Sequence, residues 1–145
     1  MAENETMIDR TPEQIFTVLS DPYSYEHWVV GSSEIRDVDG IWPEVDATFH
    51  HTQFVPKVGL KDTTTVLEAE PPNRLFLCVR TRPLVVATVE LRLQANGSGT
   101  SVTMIERPEG GIVGPIHNPV FDAGLRLRNA ESLRRLKRLS ESRSA

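Results

Sequence analysis

The first 30 residues show a helical spacing of apolar positions with clear start and stop signals. Thr11 is a good N-cap, Pro12 suits the first helical position, and Gln14 stands three residues after the cap, as a capping box requires. The apolar residues that follow share one helix face: Ile15, Phe16 and Leu19. Pro22 ends the pattern. The sequence therefore predicts a short opening strand and then small helices between Thr11 and Trp28.

After Trp28 the spacing becomes that of β-strands. The clearest strand is Val85 to Gln94, in which alternate residues, from Ala87 to Leu93, place apolar side chains on one face. Further strands are predicted at Glu34–Val38, Ala47–Val55, Leu60–Glu70, Arg74–Thr81 and Ser101–Arg107. The turn signals between them, such as Asn96-Gly97, indicate an antiparallel sheet with one buried and one solvent-exposed face.

The last third of the chain predicts a Gly- and Pro-rich loop from Pro108 and then a long helix. Asn118 is a suitable cap before Pro119, and the helical pattern continues to about Ser140. Two apolar sets follow one another along it with a rotation: first Val120, Ala123, Leu127 and Ala130, and then Leu133, Leu136 and Leu139. Such drift favours a helix laid across a curved, twisted sheet.

Gly124 interrupts this helix and lowers its propensity by about 1 kcal/mol relative to alanine. We expect a close approach to another element at this position, which is also where a cavity can open.

Together these elements predict an α+β fold in one domain spanning residues 1–145. An antiparallel sheet buried on one face needs a cover, and the terminal helix is the element long enough to provide it. Gaps between such a sheet and helix hold apolar ligands.

Composition restricts the class of protein further. Charged residues form 25% of the chain and apolar residues 39%, as in ordinary globular proteins. The single cysteine, Cys78, excludes an internal disulfide. The acidic N-terminus lacks the apolar core of a signal peptide, and no apolar run has membrane-spanning length. We expect a cytoplasmic protein, monomeric or homodimeric, without stable membrane insertion.

Charge is unevenly distributed along the chain. The net charge is −4, yet seven basic and two acidic residues follow Leu125. A basic helix can contact an anionic ligand, a membrane surface or nucleic acid. A solvated helix face against an acidic body is the simpler interpretation, and the acidity of the whole chain argues against nucleic acid.

Several segments resemble one known superfamily: Ile8–Phe16, Leu19–Trp28, 29–31, the turn at 71–75, and Arg128–Leu136. The chain resembles the SRPBCC (START/helix-grip) superfamily, in its polyketide cyclase/dehydrase-like branch. The resemblance implies a helix-grip fold. In that fold a curved antiparallel sheet of about seven strands wraps a long C-terminal helix, and two short helices follow the first strand.

The superfamily includes lipid and hormone carriers, aromatic polyketide cyclases, co-chaperones and oxygenase domains, so the fold does not select a function. We expect binding of a small apolar or aromatic molecule, lipid- or polyketide-like, without a cofactor. One alternative is a cyclase or dehydratase that uses a pocket Glu or His as acid–base group. Another is a co-chaperone-like interaction module, which would need an exposed apolar patch.

His50 and His51 are neighbours on a predicted strand and therefore point to opposite faces. If Phe49 points inward, so does His51; otherwise His50 does. An inward histidine is a candidate acid or base. The other histidines, His27 and His117, lack ligand spacing, so no metal site is expected.

Glu106 shares parity with the apolar Val102 and Met104. Facing an apolar cavity, its carboxyl group would be a general acid or base. The alternative is that it turns to solvent or pairs with Arg107 or Arg128. Arg128 is itself a candidate to hold a ligand carbonyl or carboxylate.

The catalytic candidates are thus Glu106, His51 and Arg128. The full set of predicted ligand-binding residues is Trp28, Phe49, His51, Leu77, Val89, Leu91, Met104, Glu106, Phe121, Leu125 and Arg128. The small helices before Trp28 and the loop from Pro108 to Asn118 are expected to flank the entrance.

Overall fold

An antiparallel sheet and one long helix form the body of the molecule. The computed structural model describes residues 1–30, 32–55, 58–81, 85–110 and 119–143, and the side chains of 1–30, 34–51, 62–80, 86–109, 119–120 and 122–143. The helices in these ranges are α1 (Pro12–Leu19), α2 (Tyr25–Trp28) and α3 (Pro119–Ser142), with a 3-10 turn at Pro22–Ser24. The strands are β1 (Ala2–Ile8), β2 (Ser32–Asp39), β3 (Thr48–Val55), β4 (Val58–Glu70), β5 (Arg74–Thr81), β6 (Val85–Asn96) and β7 (Gly99–Gly110).

The described strands form one curved sheet in the order β1-β7-β6-β5-β4-β3-β2. Neighbours are antiparallel throughout. The predicted order of strand, short helices, six strands and long helix is confirmed, as is the α+β helix-grip fold. No helix in the described ranges is long and apolar enough to cross a membrane.

The start of the predicted loop at Pro108 is wrong, because β7 continues to Gly110. β1 pairs with β7 only as far as Glu106. Pro108 is therefore paired on one side alone, with Ala87 of β6. A proline, which cannot donate a backbone hydrogen bond, is tolerated at such an edge position. The remainder of the predicted loop, 111–118, lies outside the described residues together with the cap at Asn118.

The predicted capping box starts α1. The Thr11 hydroxyl accepts a hydrogen bond from the Gln14 amide at 3.2 Å, and the Gln14 side chain accepts one from the Thr11 amide at 2.9 Å. Ile15 and Leu19 are fully buried in the main core. These side chains fill one end of the core.

Hydrogen bonds along β1 hold α3 parallel to that strand. In the first half of α3, the side-chain amide of Asn4 donates to the backbone carbonyl of Arg126 at 3.1 Å. Near its end, the Lys137 ammonium donates to the Met7 carbonyl at 2.7 Å, and the Asp9 amide donates to Glu141 at 2.8 Å. The helix is therefore aligned with the edge strand over most of its length.

The predicted rotation of the first half of α3 is wrong. Val120 and Leu127 are 80% and 75% exposed, and Ala123 and Ala130 are exposed as well. The buried positions of α3 instead include polar residues: Leu125, Asn129, Ser132, Leu133, Leu136 and Ser140. Ser132 is buried because its hydroxyl accepts a hydrogen bond from the Val30 amide at 3.0 Å. The later apolar positions, Leu133 and Leu136, are buried as predicted.

The expected close approach at Gly124 is also wrong. A Cβ atom built on Gly124 meets no heavy atom within 4 Å, and the residue is exposed. Its helix-propensity penalty is therefore not offset by packing.

We predict that Gly124→Ala raises the free energy of unfolding by roughly 1 kcal/mol, since alanine fits the helix and loses less backbone entropy. Urea denaturation measures the change. Gly97→Ala is the matched control: Gly97 also has open space, but its φ is +64°. That control should lose stability because a side chain is strained at positive φ. A loss of stability in Gly124→Ala would show that a neighbour does approach this position.

Candidate functional site

The strand register gathers most of the predicted apolar site residues on the concave face of the sheet. Val89 on β6 lies opposite Leu77 on β5 and Glu106 on β7. One row further on, Leu91 lies opposite Met104. All five side chains are buried. The alternation of β6 thus places the expected residues side by side.

The side chains of this region differ slightly in the fraction of their surface that is exposed. Leu91, nearer the turn between β6 and β7, has 0% of its surface exposed. Val89 retains 6%, and Leu125, in the first half of α3, retains 8%. All three side chains are therefore buried. The side chain of Phe121, also predicted for the site, lies outside the described residues.

An aromatic cluster fills the space beside β3. The ring centroids of Tyr25 and Trp28, and those of Tyr25 and Phe49, are 5.0 Å apart, and Trp42 lies 4.8 Å from Phe49. The Tyr25 hydroxyl and the Trp42 indole both donate to the Leu19 carbonyl, at 2.7 and 2.9 Å. Trp28 and Phe49 are thus brought together as core packing, in contact with the wall of the concave face.

His51 is the inward member of the histidine pair, because Phe49 points inward. It is 2% exposed, and its Nε2 lies 3.1 Å from the Thr64 hydroxyl. Burial, helped by the charge of Arg36 and by His50, lowers the pKa of His51 to about 4. The imidazole is therefore neutral near pH 7. His50 is on the other face, 2.8 Å from an Asp39 oxygen.

Glu106 is buried on the concave face and is also paired, so both predicted alternatives hold in part. Its Oε1 accepts hydrogen bonds from Arg128 Nη2 at 2.8 Å and from Asn129 Nδ2 at 3.0 Å. Among the described residues, Arg128 Nε and Asn129 Oδ1 are buried without hydrogen-bond partners. The cluster therefore holds a fixed carboxylate and keeps one donor and one acceptor unused.

The catalytic candidates form two separate groups. His51 is on β3 and Glu106 is on β7, so three strands lie between them in the sheet. Arg128 joins the Glu106 group. His27 is exposed on α2, and His117 lies outside the described residues. Within the described ranges, no group of three His, Cys, Asp or Glu residues is arranged to hold a metal ion.

Sequence reasoning missed three polar residues of these groups: Asn129, Thr64 and Asp62. Thr64 and Asp62 are buried on β4, where Asp62 lies opposite His51 in the register. The sequence could have indicated both, because residues two apart on a strand share a face, and Asp62 and Thr64 precede the apolar Val66 at this spacing. Asn129 had no such signal, because the apolar pattern of α3 indicated a different buried face.

Comparison with family models matches residues 2–141 to the family described as polyketide cyclase/dehydrase and lipid transport. Comparison with curated protein sequences gives no match. Similar solved structures include protein CV1439 from Chromobacterium violaceum, with 16% identity and a TM-score of 0.72 over 97% of this chain and 96% of that one. DynU16, from the dynemicin biosynthetic locus, has 15% identity and a TM-score of 0.71; this chain is covered to 97% and spans 47% of DynU16.

A third similar structure is Ara h 8.0201, with 11% identity and a TM-score of 0.74 over 97% of each chain. At such identities these structures show the shared fold alone. The family match extends over nearly the whole sequence and agrees with the helix-grip architecture. The chain therefore belongs to the polyketide cyclase/dehydrase and lipid transport family of the SRPBCC superfamily.

Proposed function

We propose that this protein binds a small apolar or aromatic molecule, lipid- or polyketide-like, between the concave face of the sheet and the first half of α3. The observation that carries the proposal is a buried apolar face beside a polar cluster in which Arg128 Nε and Asn129 Oδ1 have no hydrogen-bond partner among the described residues. Binding sites of this kind are apolar with a few placed polar groups. Glu106, beside Val89 in the register, begins the polar part.

The polar groups favour a carrier over a catalyst. Glu106 is already held by Arg128 and Asn129, so one of its carboxylate oxygens is engaged in two hydrogen bonds. His51, with its pKa lowered to about 4, is a weak base near pH 7. Both groups are better suited to orient the polar end of a ligand. The carrier needs no cofactor for this task.

We predict that Leu125→Trp weakens binding of the apolar probe 1-anilinonaphthalene-8-sulfonate by about tenfold or more, because the larger side chain occupies ligand space. Fluorescence titration measures the affinity. Leu127→Trp is the matched control, since Leu127 lies two positions away on the same helix but is 75% exposed. Its affinity should stay within about twofold of the unchanged protein, as for surface substitutions generally. Equal affinities for all three proteins would place the probe elsewhere.

Native mass spectrometry of the purified protein addresses the natural ligand. A co-purified small molecule that disappears in Leu125→Trp and remains in Leu127→Trp would support the proposal. A molecule retained by both variants would contradict it.

A second candidate function is a cyclase or dehydratase acting on a ligand of the same class. The observation that favours it is the pair of polar groups, at Glu106 and at His51, on an apolar concave face. Adding the identified molecule to ligand-free protein and following its mass separates the two functions. A carrier returns the molecule unchanged. An enzyme converts it, and Glu106→Gln or His51→Gln should then lower the rate while binding remains.

His51 gives a further prediction about stability. Since the folded pKa is about 4 and the ordinary value is 6.5, the unfolded chain binds more protons between these values. The free energy of unfolding should therefore fall as pH drops below about 6.5, by up to roughly 3 kcal/mol once pH is below the folded pKa. Urea denaturation from about pH 7 to about pH 5 follows the start of this loss.

His51→Gln should flatten this part of the pH profile, because it removes the titrating group. His50→Gln provides the control, since it deletes a neighbouring imidazole on the other face. An unchanged slope in His51→Gln would assign the pH dependence to other groups.

A further inference from the structure

A second cleft lies toward the C-terminal end of α3, between α2 and the last turns of the helix. Its volume is about 450 Å³, which is in the range of small-molecule sites. The residues that line it are His27, Arg135, Arg138, Leu139 and Ser142. Leu139 is 14 residues beyond Leu125, about 21 Å along a helix axis. The cleft is therefore separate from the apolar site.

Positive charge in this cleft is only partly neutralised. Arg135 shares the carboxylate of Glu131 with Arg134, at 3.1 and 2.7 Å. Hydrogen bonds from these two arginines lower the pKa of Glu131 to about 2, so the carboxylate stays ionised. Arg138 has no ion-pair partner among the described residues. One guanidinium group is thus left without a counter-charge.

The other groups at the cleft leave this charge in place. His27 is 3.9 Å from Glu26, a long contact at an exposed position. Arg143, which does not line the cleft, is likewise 3.9 Å from Asp21. The Ser142 hydroxyl donates to the Leu139 carbonyl at 2.8 Å and is not a free donor. The available donors are therefore guanidinium and imidazole N–H groups from two different helices.

We propose that this cleft binds the phosphate group of a phosphorylated small molecule or lipid head group. A phosphate carries three terminal acceptor oxygens and can engage donors from both helices, whereas a carboxylate has two oxygens in one plane. Arginine is well suited to phosphate because its planar donor fork matches the oxygen spacing. Leu139 supplies an apolar surface for the carbon part of the ligand.

The test uses inorganic phosphate as the probe, in an NMR titration of the backbone amides at constant ionic strength. Saturable shifts are expected around Arg135 and Arg138. Arg138→Gln should weaken binding by about tenfold, as loss of one charge-assisted contact does. Arg126→Gln is the matched control: it removes the same charge from an exposed position on the same helix, outside the cleft. Its phosphate affinity should be unchanged.

Co-sedimentation with phosphatidylcholine vesicles, with and without phosphatidic acid, distinguishes the two sources of phosphate. Binding to phosphatidic acid vesicles that is lost in Arg138→Gln but kept in Arg126→Gln assigns a lipid head group. Saturable phosphate binding without vesicle binding assigns a soluble phosphorylated molecule. Equal weakening in both variants, or no saturable binding to either probe, overturns the proposal. Apolar-probe binding at the Leu125 site should be unaffected by these variants, so the two sites are tested independently.

Discussion

The alignment of α3 with the edge strand β1 determines what the rest of the molecule can do. The Asn4 side chain binds a backbone carbonyl in the first half of the helix. Near its end, the Lys137 and Glu141 side chains bind backbone groups of Met7 and Asp9. These bonds fix the rotation of the helix as well as its direction. Asn129 consequently faces Glu106, and Leu127 faces solvent. The rotation of α3 therefore determines which of its side chains face the concave side of the sheet.

On this concave face, Glu106 and His51 each have hydrogen-bond partners within the protein, which lower the free-energy cost of burying them. Glu106 is buried together with two side chains from α3 that donate hydrogen bonds to it. His51 loses its charge because desolvation dominates, and its ring remains hydrogen-bonded to Thr64. Polar selectivity then depends on atoms that remain unused, such as Asn129 Oδ1.

Much of the fold could be predicted because local signals and tertiary structure agree in the sheet. The alternation of β6 and the capping box at Thr11 each have one structural solution, and both are observed. The rotation of α3 could not be predicted, because Asn129 and Ser132 are buried by hydrogen bonds to distant residues. An apolar periodicity cannot detect such positions. The histidine pair shows the same limit. A two-residue period says that His50 and His51 face opposite sides, but it does not say which side is buried until a neighbour such as Phe49 is located.

The ion pairs of α3 explain most of the excess of basic residues near the C-terminus. Most of its cations are committed: Arg128 to Glu106, Lys137 to Glu141, and Arg134 with Arg135 to Glu131. Charge asymmetry in the sequence therefore largely reflects contacts that fasten or solubilise the helix, as the simpler interpretation held. Arg126 and Arg138 have no ion-pair partner among the described residues, and of these two Arg138 lines the cleft beside α2. An uncompensated cation in a concave site retains a net attraction for anions that a solvated, paired arginine has lost. The two halves of one helix thus provide different surfaces, an apolar one facing the sheet and a cationic one facing α2.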